Sequence, residues 1–200
     1  MPAPEQILAG LTAIANQARP LAIAWHVALV VVMIALLAGW RPTRRIAGVA
    51  LAIPLISVSA LAWSFGNPFN GLVFAAVAIA LVALALRLPE EPATRGPAWP
   101  FVVGVLMVGF GWVYPHFLES GAPWAYLYAA PFGLVPCPTL SGVIGCALLA
   151  DGLRARPWAG VLAGAGVFYA LFGALHLGVS IDIVLLAGAL ALAALAIRRG

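Results

Sequence analysis

The chain has 200 residues, of which 64% are hydrophobic and only 8% charged, with a mean hydropathy of +1.10; this excludes a soluble globular domain, where roughly a quarter of residues carry charge. The net charge of +4 comes from arginines scattered between apolar runs, with no lysine, so membrane topology accounts for it better than a nucleic-acid partner does. The composition predicts an all-α, polytopic integral membrane bundle forming a single transmembrane domain over 1-200, with the lipid bilayer as its first partner.

In chain order, residues 4 to 19 place Ile7, Leu8, Leu11, Ile14, Ala15 and Ala18 at helical spacing, with Glu5, Gln6, Thr12, Asn16 and Gln17 opposite. This predicts a short interfacial helix (1-20) lying along the membrane. Glu5 stands where a signal peptide would have a basic segment, so no removable signal peptide is expected. Helices 1 to 3 are expected within 21-88: Leu21 to Trp40, Ile46 to Phe65 with Pro54 as a kink point, and Gly71 to Leu88 after the turn Gly66-Asn67-Pro68-Phe69-Asn70. A polar connection from Pro89 to Pro97 precedes helices 4 to 7 within 99-197. The fourth span is expected from Trp99 to Leu118, with Gly104, Gly109 and Gly111 permitting close helix contact. The sixth and seventh are expected at Trp158 to Val179 and Ile181 to Ile197.

The fifth crossing is the irregular one. Pro131, Pro136 and Pro138 in the stretch Pro131-Phe132-Gly133-Leu134-Val135-Pro136-Cys137-Pro138-Thr139 cannot continue a helix, because each ring removes a backbone donor and clashes with the preceding turn. Helix is expected to restart at Pro138 and run to Ala150, about 18 Å against a hydrocarbon core of about 30 Å. The sequence therefore predicts seven transmembrane helices with a broken fifth. Cys137 is placed near the N-cap of the restarted helix, where the positive end of the dipole favours a thiolate. Cys146 would lie about 13 Å from it on the same helix, too far for a disulfide. Gly142-Val143-Ile144-Gly145, and Gly160 with Gly164, read as close-packing faces.

Seven crossings with the N-terminus outside put Arg41, Arg44, Arg45, Arg87, Arg95, Arg154, Arg156, Arg198 and Arg199 on the cytoplasmic side and Arg19 alone outside. The tryptophans divide into two belts, Trp40, Trp99 and Trp158 at inner ends and Trp25, Trp63 and Trp124 toward outer ends. By helix rise, His26, His116, His176 and Cys137 all stand about 21 to 27 Å above the inner ends of their helices. Glu119 and Asp182 are near the same face. Intramembrane ionisable groups are costly and tend to face the bundle interior. One reading makes Cys137, His116, His26 and His176 a metal site, with a soft ion such as copper(I) favoured by the sulfur at an unwound point. The other makes each histidine an interfacial or interhelical hydrogen-bonding group and Cys137 a small hydrophobe beside a structural break. No catalytic motif of the HExxH, GxSxG, CxxC or phosphate-loop kind is present.

The segment Tyr114-Pro115-His116, followed by Phe132-Gly133-Leu134-Val135-Pro136-Cys137-Pro138, resembles a bacterial multi-spanning membrane family catalogued as a domain of unknown function. That family is similar in size, in an arginine-rich first inner loop and in a Phe-Gly-x-x-Pro-Cys-Pro element. The resemblance implies a bacterial inner-membrane location, covers about thirty residues of motif, and does not reach His26 or His176. The functional expectation is binding or conduction of a small solute or metal ion at the broken helix near the outer face. The alternatives are a redox protein carrying haem or copper and an accessory subunit of a membrane complex.

Overall fold

The computed structural model describes residues 3–119 and 122–198. Among these the regular structure is helical, with a single isolated bridge between Thr43 and Pro92 in place of any sheet. Nine α-helices run α1 Pro4–Gln17, α2 Arg19–Leu37, α3 Arg44–Ser64, α4 Pro68–Ala85, α5 Ala98–Val113, α6 Tyr126–Ala129, α7 Pro136–Leu149, α8 Arg156–Leu171 and α9 Ile183–Arg198. Five helical stretches are long and apolar enough to cross a membrane: α2, α3, α4, α8 extended to His176, and α9 counted from Ser180. The chain is a helical membrane protein. Helices α5 and α7 are apolar but shorter.

The helix starts follow from local chemistry. Thr43 caps α3 by accepting from the Ile46 amide at 3.2 Å, and Asn67 caps α4 by accepting from Asn70 at 3.1 Å, with Pro68 at the first helical position. α3 is continuous through Pro54, which is buried. α5 ends at Val113, five residues short of the expected Leu118. Pro115 offers no amide and biases Tyr114 toward extended backbone, and Tyr114 takes ψ 103°.

Helix α7 is the centre of the bundle. Of its residues only Cys146 and Leu149 escape full burial, and it packs against α3, α5, α8 and α9. The α5–α7 contact is a glycine seam. A Cβ on Gly145 would lie 2.6 Å from the Val108 amide nitrogen, and one on Gly111 would lie 2.7 Å from the Pro138 carbonyl oxygen and the Gly142 amide nitrogen. Gly104 meets Gly145 in the same way. The expected close-packing role fails for Gly109, Gly160 and Gly164, which face open space; in α8 it belongs to Gly166, against Ile144 and Ala189. Glycine spacing alone cannot tell a packed face from a lipid face.

At the opposite pole, helix α2 keeps only Ala22 and His26 buried, and every residue from Val27 to Leu37 is exposed or half-exposed. Trp158, expected in the inner belt, is fully buried in the core, with its Nε1 lacking a partner among the described residues. Trp40, Trp63, Trp99 and Trp124 are exposed.

The arginine-rich end is built around an unusual turn. Asp151, Gly152, Leu153 and Arg154 have φ of 57°, 60°, 55° and 50°, four consecutive left-handed residues of which three carry side chains. Arg44 holds this turn, donating from Nε to Leu153 O at 2.7 Å and from Nη2 to Arg154 O at 2.8 Å, while also pairing with Glu91 at 3.6 Å. Buried Asp151 accepts from Arg154 Nε at 3.2 Å.

Candidate functional site

The proline-rich stretch folds as a compact turn between α6 and α7. The Leu134 and Val135 amides both donate to Pro131 O at 3.2 Å, and Gly133 takes φ 75°, a value open to glycine at no steric cost. Thr139 ties the turn to α7, its hydroxyl accepting from the Gly133 amide at 2.9 Å and donating to Val135 O at 2.7 Å. The indole of Trp25 covers Gly133 so closely that a Cβ there would collide with it. The backbone groups of the turn thus find several of their partners within the element itself. Helix resumes at Pro136, two residues earlier than expected, because both Pro136 and Pro138 fall in the first turn, where amides have no intrahelical partner to lose.

That earlier start carries Cys137 into the first turn of α7 and aims it at Asp182. The thiol donates to Asp182 Oδ2 at 3.1 Å, and the Tyr114 hydroxyl donates to Oδ1 at 2.6 Å. The expectation of a thiolate is corrected by this contact: a thiol hydrogen fits it, whereas a thiolate would face the carboxylate as a like charge. Asp182 is 1% exposed and Tyr114 is fully buried. The carboxylate reaches this place because the end of the α8 stretch widens into a π-turn, Phe172–His176, with the Leu177 amide on Phe172 O and the Val179 amide on Gly173 O. A methyl on Gly173 would strike the Asp182 carboxylate.

A second polar pair adjoins the first. The Tyr169 hydroxyl donates to Asn70 Oδ1 at 2.9 Å, and the Tyr169 ring packs on Phe74 at 5.0 Å between centroids. Cys137, Asp182, Asn70 and Tyr169 all line one cavity of about 20 Å³, enough for one water-sized occupant. Ile7 and Leu11 of α1 close it from the outside. Asn16 fastens α1 there, donating to Phe117 O at 2.9 Å and accepting from the Glu119 amide at 2.9 Å.

The residues singled out in the sequence are only partly brought together. Cys137 lines the cavity and none of the three histidines does. His26 is buried with Nδ1 2.8 Å from Ala22 O and Nε2 2.9 Å from Trp112 O, the latter in the last turn of α5; a neutral imidazole carries one N–H and donates to one of these two carbonyls. His116 stands edge-on to Phe117 at 4.3 Å. His176 lies against Phe172 at 4.9 Å. Among the described residues no group of three or more His, Cys, Asp or Glu is arranged to hold a metal ion. The sequence reading left Asp182, Tyr114, Asn70 and Tyr169 out of the site. Asp182 had a signal, a carboxylate at the head of an apolar run; the two tyrosines and Asn70 had none apart from the fold.

The fold and the cluster together define a polytopic helical membrane protein with a buried carboxylate, thiol and phenol meeting at one end of its bundle. No protein-family profile, curated protein or solved structure matches the chain.

Proposed function

We propose that the protein binds or conducts a small cation at the Asp182–Cys137 cluster, near the outer face of a bacterial inner membrane. The supporting topology has seven crossings, the N-terminus outside and the C-terminus cytoplasmic, with α6, the proline turn and α7 forming the broken fifth. The observation that carries the reading is Asp182 itself: a 1%-exposed carboxylate inside an apolar helical bundle, beside a cavity. An ionisable group inside a bilayer is costly and is kept where it serves a solute, an ion or a proton. The lining offers carboxylate, thiol, phenol and amide oxygen, an acceptor-rich set that suits a cation, and the sulfur favours a soft one such as copper(I). Haem or copper redox chemistry at the histidines has less support, because none of the three lines the cavity and the ring nitrogens of His26 face backbone carbonyls at 2.8 and 2.9 Å.

A small membrane-impermeant thiosulfonate, applied to the outside of oriented vesicles, tests both site and sidedness. It should label Cys137 faster than Cys146, and Ag(I), a stable stand-in for Cu(I), should slow that labelling. Asp182→Asn should weaken the protection. Labelling of Cys137 from the cytoplasmic side alone would reverse the topology, and labelling indifferent to Ag(I) would overturn the soft-cation site.

A further inference from the structure

At the opposite end of the bundle from the cluster, three segments distant in sequence wall an open pocket of about 440 Å³: Pro97 and Trp99 where α5 begins, Arg154 from the left-handed turn, and Leu195 and Arg198 from the end of α9. Its volume is in the range of small-ligand sites. Among the described residues the lining contains two arginines and no carboxylate.

Both arginines are held in place. Arg198 lies over the Trp99 ring, 5.5 Å from its centroid, which fixes the guanidinium by cation–π attraction. Arg154 donates from Nε to buried Asp151 at 3.2 Å, which leaves the outer Nη edge of its fork directed away from that bond. The turn that presents Arg154 is itself held by the two bonds from Arg44. The start of α5 adds a third positive element, since the first amides of a sixteen-residue helix have no intrahelical acceptor. The acids on this face are already engaged, Glu90 with Arg45 at 2.6 Å and Glu91 with Arg44.

We propose that this pocket is a binding site for a phosphate group, carried on an anionic phospholipid headgroup or free in solution. Two arginines lining one concave site at a helix start, with no carboxylate among its described lining residues, suit the charge of a phosphate, and guanidinium forks bind phosphate oxygens in pairs. Its position at the polar end of apolar helices is where a headgroup would sit. The inference is independent of the cation reading at the other end.

The test uses the full chain in detergent micelles, with native mass spectrometry counting bound lipid. Phosphatidylglycerol should be retained more tightly than phosphatidylcholine with the same acyl chains. Arg198→Gln and Arg154→Gln should each weaken phosphatidylglycerol binding about fivefold, the factor that corresponds to about 1 kcal/mol per basic residue near a membrane surface. Arg87→Gln, an exposed arginine outside the pocket, should change nothing. If Arg154→Gln disturbs its turn, Arg198→Gln, in the last turn of the last helix, carries the test alone. Inorganic phosphate is then added as competitor: displacement of the lipid marks a site for the free anion and persistence marks a lipid site, and both support the pocket. Equal retention of the two lipids without displacement by phosphate, or a loss in Arg87→Gln as large as in the pocket variants, overturns it.

Discussion

At the scale of single residues the argument rests on two hydrogen bonds to one buried carboxylate. Both Asp182 oxygens are acceptors, one from a phenol at 2.6 Å and one from a thiol at 3.1 Å. Removing a donor strands an acceptor in a site that is 1% exposed. Tyr114→Phe should therefore cost about 1–3 kcal/mol. The same loss should shrink when Asp182→Asn is already present, because the interaction being removed is no longer that of a charged group. Thermal unfolding of the four proteins in detergent measures this cycle, and strictly additive losses would show that the two side chains are not coupled. The site was half legible from these residues: the Pro-Cys-Pro element marked the thiol, but nothing in the sequence said which of several ionisable groups it faced. Depth along a helix follows from residue number, whereas azimuth follows from packing. The three histidines, expected at one depth with Cys137, go to different partners, and His116 lies beyond the end of the helix whose rise was used to place it.

At the scale of elements, proline and glycine carry most of the information, and they carry it unequally. The prolines placed the interruption between α6 and α7 within two residues, since ring geometry acts locally and needs no partner. The glycines predicted a close-packed α5 and succeeded at Gly104 and Gly111, but not at Gly109, which points away from α7. This difference is testable. Gly145→Ala puts a methyl into the Val108 backbone and should cost about 1–3 kcal/mol by overpacking. Gly164→Ala meets open space and should be neutral, or stabilising by about 0.4–1 kcal/mol through the lost freedom of the unfolded chain. Equal shifts in unfolding temperature for the two variants would refute the seam. The π-turn after α8 was not legible at all, because what it accommodates, the Asp182 carboxylate lying where a Cβ at residue 173 would stand, is brought there by the packing of the next helical stretch and not by local sequence.

At the scale of the whole molecule, the membrane character and the order of helices were readable from hydropathy, since each apolar run is bounded by arginine, proline or a polar turn. Helix α2 met that reading to within three residues at its ends and yet stands apart from the rest. Its attachment is concentrated near its first turns: His26 on the end of α5, Trp25 donating to Ser57 at 3.2 Å, and the contact of Trp25 with Gly133. Beyond His26, eleven residues, about 16 Å of helix, are exposed or half-exposed. Mechanically this is a lever with its fulcrum at one end. A helix whose apolar length exceeds the local bilayer thickness responds by tilting, and here a tilt turns about the His26 anchor, one residue from the indole that presses on the proline turn. Spin labels at Val31 of α2 and Ile53 of α3 should accordingly show a separation that changes between thin and thick bilayers, while a pair within the α5–α7 seam should not. If both pairs ignore thickness, α2 is as firmly seated as the core. If only the first responds, the bilayer's own thickness becomes a mechanical input to the turn that positions Cys137.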